Sequence, residues 1–236
     1  HVGLAKPHFL ALGMDILANP DNQKVYVHLS HPPKKEKEVL KAFPEIIFSW
    51  KGNEDAGVSG IHIKEYDYRV SPGVFFQVNP YRWEDMLNTV ESYLEPCETA
   101  IDLYSGVGFF IPVLKKFSQR TLAVESNGYA VTLAGRAFPL PGVEFFKMAV
   151  EKFRLPGAEI VLLDPPRSGL SKIVMNGILS KKYKKIIYIS CYSAAFSRDL
   201  KILRENGYRL EGLAVLDLFP QTAHMIIARQ RAQVHF

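Results

Sequence analysis

Two cysteines, Cys97 and Cys191, are all that the 236-residue chain contains. A disulfide framework is therefore excluded, as is any four-cysteine metal or cluster site held within this chain alone. Long apolar runs are missing too: none approaches the roughly 18 residues a membrane-spanning helix needs. The first residues lack the basic stretch followed by an apolar segment that marks a secretory signal. The expectation is a cytoplasmic protein with no membrane partner and no metal. Acidic residues fall short of basic ones, 24 against 29, for a net charge of +5 and a pI near 9.1. That balance suits a polyanionic partner without requiring one. What is present is ordinary for a globular chain, 47% hydrophobic and 22% charged, enough for one sizeable core or two unequal ones. The chain opens at His1 rather than at a methionine, which leaves room for a preceding piece.

Two parts are distinguishable. Residues 1–78 mix short β-rich runs, Val25–Leu29 and Ile61–Ile63, with turn signals at Asn19-Pro20-Asp21-Asn22, His31-Pro32-Pro33 and Lys51-Gly52-Asn53. Lys34–Phe43 is charged and helix-compatible. This part is expected to be a small α+β domain. From residue 79 onward, strands alternate with helices. Pro80–Leu94 reads as a helix with Leu87, Val90 and Leu94 on one face. Strands are predicted at Thr99–Leu103, Thr121–Val124, Glu159–Leu163, Lys185–Ile189 and Leu213–Leu218. Helices are predicted at Val107–Phe117, Tyr129–Ala137, Ser171–Ser180 and Ala194–Asn206, with Gly207 as a stop. This alternation implies right-handed crossovers and a mostly parallel sheet covered on both faces. A last run, His224–Ala228, comes after a short turn and must pair antiparallel with its predecessor. The expected fold class is α/β, a Rossmann-like sheet with a terminal antiparallel hairpin.

Chemistry-bearing residues fall at the carboxyl ends of the predicted strands, where open α/β sheets bind ligands. Asp102-Leu103-Tyr104-Ser105-Gly106-Val107-Gly108 joins a strand to a helix, and its glycines let a ligand approach the backbone. A tight turn would use the same residues. Glu125 ends the next strand, about 20 positions on, where a carboxylate can accept two hydrogen bonds from a ribose. In Leu163-Asp164-Pro165-Pro166-Arg167-Ser168-Gly169 an apolar strand delivers a carboxylate, and two prolines stiffen the loop after it. Ile189-Ser190-Cys191-Tyr192-Ser193 presents a cysteine beside a helix start, where the thiolate is favoured. Elsewhere a buried cysteine is more often a small hydrophobe. Asp217–Met225 reads in isolation as a hairpin turn.

Together these segments resemble the RNA uracil-5-methyltransferase family. The matches are Phe75-Phe76-Gln77-Val78-Asn79-Pro80, the Asp102–Gly108 loop, Asp164-Pro165-Pro166-Arg167-Ser168-Gly169, Ser190-Cys191 with Ser197-Arg198-Asp199-Leu200, and Asp217-Leu218-Phe219-Pro220-Gln221-Thr222-Ala223-His224. They run in family order. The resemblance implies a class I methyltransferase sheet, S-adenosylmethionine as cofactor with S-adenosylhomocysteine as product, and structured RNA, transfer or ribosomal, as partner. It implies that Gln77, Tyr104, Glu125 and Asp164 line the S-adenosylmethionine site. Cys191 would be the nucleophile that adds to carbon 6 of uracil, so that carbon 5 can take the methyl group. The target base must leave its stack to reach it. Residues 1–78 would be an accessory RNA-contact domain and residues 79–236 the catalytic domain.

The chain also departs from the family pattern. The family's base is a glutamate two positions after the last motif's histidine; here that position is Ile226. Tyr192-Ser193 stands where Asn-Pro usually follows the nucleophile, Phe109 where a small or polar residue is common, and Ala149 where Asn or Asp often serves the adenine. The N-terminal RNA-binding barrel of some members is not expected here. Ile226 keeps a second reading open, a catalytically weakened relative that binds RNA or S-adenosylmethionine without efficient turnover. A small-molecule methyltransferase or Rossmann dehydrogenase would suit the glycine loop but leave Cys191 unexplained. Lys34, Lys35, Lys37 and the run Lys181, Lys182, Lys184, Lys185 are candidates for phosphate contacts.

Overall fold

The structure, a computed structural model, describes residues 14–30, 37, 40, 41, 44–50, 53–77, 79–217 and 225–232. Contacts divide the chain after Phe76 into His1–Phe76 and Gln77–Phe236, so that Gln77 falls with the larger unit. In the smaller unit β1 (Met14–Ala18) pairs antiparallel with β2 (Val25–Leu29), and β2 pairs parallel with β3 (Ile46–Trp50). β4 (Ser59–Ile63) and β5 (Tyr66–Val70) form a hairpin whose alternate residues Ser59, Ile61, Ile63, Tyr68 and Val70 are buried, the period of two of a half-covered sheet. Asn19, buried in the turn after β1, donates to the Gly60 carbonyl at 2.7 Å and accepts the Asp21 N–H at 2.8 Å. Of the predicted helical stretch Lys34–Phe43, only Lys37, Leu40 and Lys41 lie within the described residues; the His31-Pro32-Pro33 turn lies outside them.

The larger unit is built on one seven-stranded sheet. Its strands are β6 (Cys97–Leu103), β7 (Ser118–Glu125), β8 (Val143–Lys147), β9 (Ile160–Leu163), β10 (Lys185–Ser190), β11 (Tyr208–Leu216) and β12 (Met225–Ala232). The order across the sheet is β11-β12-β10-β9-β6-β7-β8. Strands β6 to β10 run parallel, and β12 is antiparallel to both its neighbours. The helices are α1 (Trp83–Tyr93), α2 (Ile111–Phe117), α3 (Gly128–Ala137), α4 (Lys172–Lys181) and α5 (Ser193–Glu205). β9 and β10 are buried along their whole length, as parallel strands covered on both faces must be. The predicted parallel sheet with a terminal hairpin is what forms. The chain turns from β6 outward to β7 and β8, then returns to β9 on β6's other side, so a topological switch point lies between β6 and β9.

Several element bounds differ from expectation for physical reasons. α2 begins at Ile111 rather than Val107, because Gly106 and Gly108 have φ of 54° and 84° and cannot join a right-handed helix. A Cβ on Gly108 would lie 3.2–3.4 Å from Ile111, Phe138 and Ala134, so the loop packs closely on α3. Phe109 turns into the core, 4% exposed and edge-on to Phe110 at 4.8 Å between ring centroids. β8 was not among the predicted strands; it is an edge strand of mixed exposure without an apolar run. β12 continues to Ala232 through Arg229, Gln230 and Arg231, whose polarity hides a strand that the sheet nevertheless buries at Gln230. Helix α1 follows a 3-10 turn at Pro80–Arg82, and Leu87, Val90 and Leu94 are all buried as their spacing requires.

Candidate active site

The carboxyl ends of β10, β9, β6 and β7 stand side by side, and each carries one residue singled out in the sequence. Cys191 follows β10, Asp164 follows β9, Tyr104 follows β6, and Glu125 ends β7. Neighbouring strands are about 4.8 Å apart, so this edge spans about 14 Å from Cys191 to Glu125. Gln77 joins it from the segment before α1. Its Nε2 donates to Asp164 Oδ2 at 2.9 Å, and its backbone carbonyl accepts the Trp83 indole N–H at 2.7 Å. Gln77 Oε1 is buried and has no hydrogen-bond partner among the described residues, an acceptor that costs free energy until something donates to it.

The glycine loop and Glu125 form one unit. The N–H groups of Tyr104 and Ser105 both donate to the Val124 carbonyl, at 3.0 and 3.1 Å. Gly106 N–H donates to Glu125 Oε2 at 3.1 Å, while Glu125 Oε1 accepts from Asn127 N–H at 2.6 Å and the Ser126 hydroxyl at 3.0 Å. Tyr104 holds a left-handed φ of 67°, a conformation costly for a residue with a Cβ.

The sequence motif assigns Asp102 no role of its own. It is 0% exposed, and neither carboxyl oxygen has a hydrogen-bond partner among the described residues. Burial, then the carboxylates of Asp164 and Glu125, push it well above the usual carboxylate range. Burial likewise raises Asp164, to about 7, against the lowering effect of the Gln77 amide. Carboxyls that keep a proton when folded but lose it when unfolded cost stability increasingly as pH rises past the unfolded value. Replacing Asp102 by asparagine, which has no proton to lose, is therefore expected to remove this pH-linked cost and raise Tm at neutral pH. Thermal scans across pH check this; a variant that melts lower than the natural chain at neutral pH would contradict it.

Cys191 is partly exposed and its neighbours are pinned. The Ser190 hydroxyl donates to the Tyr192 carbonyl at 3.1 Å and accepts the Tyr192 N–H at 3.2 Å. Asp199, on α5, is 1% exposed and accepts from Tyr188 OH at 2.7 Å, Leu170 N–H at 2.8 Å and the Arg198 guanidinium at 2.7 and 2.8 Å. Arg198 also donates to the Ser168 carbonyl at 2.9 Å. The helix after Cys191 thus grips the loop after Asp164. Gly169 makes the fit possible: with φ 76°, its Cβ would fall 2.5 Å from Arg198 and 2.6 Å from Asp199. These contacts join residues about 30 positions apart, so no local signal announces them.

Two expectations need amendment or fall outside the described residues. Lys185 does not face phosphates: it is 2% exposed, pairs with Glu95 at 2.8 Å and donates to the Tyr93 carbonyl at 2.8 Å. It begins β10 while Cys191 follows that strand's end, so Lys185 lies about 20 Å from Cys191 along the strand. Lys34, Lys35 and Leu218–His224, with the Phe-Pro-Gln-Thr segment, lie outside the described residues. Ile226 pairs in register with Ser190, one residue from Cys191. Among the described residues there is no His, Cys, Asp and Glu cluster able to hold a metal, and no helix long and apolar enough to cross a membrane.

A glycine loop at the switch point, an acidic residue ending the next strand and a sheet closed by an antiparallel hairpin make this the class I methyltransferase fold. The crystal structure of the Pyrococcus abyssi tRNA (uracil-54, C5)-methyltransferase in complex with S-adenosyl-L-homocysteine superposes with a TM-score of 0.74 at 24% identity, covering 91% of this chain and 58% of that one. Residues 143–228 match the family model for tRNA (Uracil-5-)-methyltransferase. The tRNA (uracil(54)-C(5))-methyltransferase of Pyrococcus furiosus is 33% identical over 67% of this chain and 38% of its own length. The 23S rRNA (uracil(747)-C(5))-methyltransferase of the same organism is 32% identical over 84% of this chain and 52% of its own. The chain belongs to the RNA uracil-5-methyltransferase family, and it spans about half or less of the length of the curated relatives it matches.

Proposed function

We propose that this chain transfers a methyl group from S-adenosylmethionine to carbon 5 of a uridine in structured RNA, through a covalent adduct on Cys191. The observation that carries the reading is the arrangement at one sheet edge of Cys191, Asp164 and Gln77, with Gln77 Oε1 buried and unpartnered. S-adenosylmethionine supplies an electrophilic methyl on a sulfonium. The residues present suit it: the positive-φ glycine loop lets a ligand approach the backbone, Glu125 offers a carboxylate to a ribose, and Gln77 Oε1 and Asp164 offer acceptors. Cys191 adds to carbon 6 of the extruded uracil, because carbon 5 is too weak a nucleophile unaided and addition divides the step. After methyl transfer a base removes the carbon 5 proton and the thiolate departs. Residues 1–78 are proposed to help hold the RNA. The test is incubation with labelled S-adenosylmethionine and bulk RNA, then digestion to nucleosides. Label in 5-methyluridine, free or in an RNA-linked adduct with the protein, supports the reading, and label in another nucleoside or none in either form refutes it.

The raised Asp164 gives this reading a pH signature. S-adenosylmethionine carries positive charge on sulfur and on its amine, so it favours the ionised carboxylate. Affinity is expected to rise with pH up to about 7, by at most about tenfold per unit, then level off. Calorimetry from about pH 5.5 to about 8.5 measures this, a range that brackets the raised value. Asp164→Asn should flatten the profile; an equally steep profile in that variant would assign the titration elsewhere.

A further inference from the structure

Beside the nucleophile stands a pair of side chains that the proposed chemistry does not use. The Arg167 guanidinium lies 5.6 Å from the centroid of the Tyr192 ring, within cation–π range. Both side chains face solvent, Tyr192 at 45% exposure, and among the described residues the Arg167 guanidinium meets no carboxylate. Exposed long side chains are usually loose, yet these two rise from fixed backbone. Arg167 precedes Ser168, whose carbonyl Arg198 holds, and stands three residues before Leu170, whose N–H Asp199 holds. Tyr192 is locked on one side by the Ser190 hydroxyl and on the other by the Phe196 N–H, which donates to its carbonyl at 3.1 Å. One buried carboxylate, Asp199, thereby fixes the loop under Arg167 to the helix that starts after Tyr192.

The geometry points to Arg167 and Tyr192 as a stacking platform for an unpaired RNA base next to the target uridine. The inference rests on the proposed function and deepens it by naming how the substrate is gripped. Extruding a base leaves its neighbours without a stacking partner, and proteins that hold single-stranded RNA replace that partner with aromatic rings and guanidinium planes. Tyr192 immediately follows Cys191, so a base on its ring is adjacent to the one at the thiol. The guanidinium adds a positive charge where the backbone phosphates of those nucleotides must pass. A peptide partner has no such reason to meet this edge.

The probe is a pair of unstructured oligoribonucleotides of about ten residues, a length within single-strand site sizes. Each carries one uridine with 2-aminopurine on its 5′ or its 3′ side, and stacking quenches the 2-aminopurine fluorescence. The natural chain and Tyr192→Phe are expected to bind and quench at least one probe. Tyr192→Ala should lose the quench and bind about tenfold more weakly, with S-adenosylmethionine affinity unchanged. Arg167→Ala should weaken binding several-fold. The platform is refuted if Tyr192→Ala keeps both affinity and quench. The labelled methyl-transfer assay separates the two ideas. Transfer by the natural chain together with an unaltered Tyr192→Ala removes the platform and leaves the function standing; no transfer and no RNA binding by the natural chain removes both.

Discussion

Cys191→Ala is expected to abolish methyl transfer, on the order of 10⁴-fold or more, as loss of the nucleophile does in other covalent enzymes. S-adenosylmethionine affinity should stay within several-fold, because the proposed cofactor contacts belong to Gln77, Tyr104, Glu125 and Asp164. Cys191 follows β10, whereas those groups gather around β9, β6 and β7. The substitution is small, and the backbone around it is held by Ser190 rather than by the sulfur, so folding is not at stake. Turnover and calorimetry on the same preparation read both halves. Retained turnover in the alanine variant would remove the covalent mechanism while leaving the fold and the family untouched.

Ile226→Glu is the second large effect. Its strand register sets residue 226 opposite Ser190, one residue from Cys191, the proposed nucleophile, and an isoleucine cannot accept a proton. General-base assistance is worth about 10²–10⁴-fold. The natural chain is therefore expected to accumulate an RNA-linked species after methyl transfer, seen as a denaturant-resistant band, and the glutamate variant to release it faster by up to that factor. If another group takes the proton, the natural chain will turn over many times with no trapped band and Ile226→Glu will gain nothing. A band that forms and never decays fits the weakened-relative reading.

How much was legible in the sequence depends on where a residue's partners lie. Asp164, Glu125 and Cys191 were readable because each ends a short apolar run, and in an alternating fold such runs are parallel strands with their carboxyl ends on one side. Gln77 was named through family resemblance alone; its bond to Asp164 spans 87 positions, a distance over which composition and periodicity carry nothing. The same blindness hid Lys185. In a run of lysines it looks solvated, and only Glu95 and the Tyr93 carbonyl, brought from α1's far end, show why it is buried. β12 was underestimated because Arg229, Gln230 and Arg231 read as a surface segment, whereas a central strand tolerates them by pairing on both sides. Asp102 was quoted only as a motif letter, and its isolation from any donor is a property of the packed sheet.

β12 comes after β11 in the chain yet sits inside the sheet, between β10 and β11. β11 is made first but, among the described residues, pairs in the sheet with β12 alone. A nascent chain halted on the ribosome before residue 225 would therefore carry β10 with one side open, a sticky strand edge next to the half-built site. Domains emerging from the ribosome tend to fold from the N-terminus forward, but here the sheet must be completed by an insertion. The strand that flanks Cys191 enters only after the sheet's six other strands have been synthesised, so Cys191 acquires its full surroundings later than Asp164, Tyr104 or Glu125 at the ends of β9, β6 and β7.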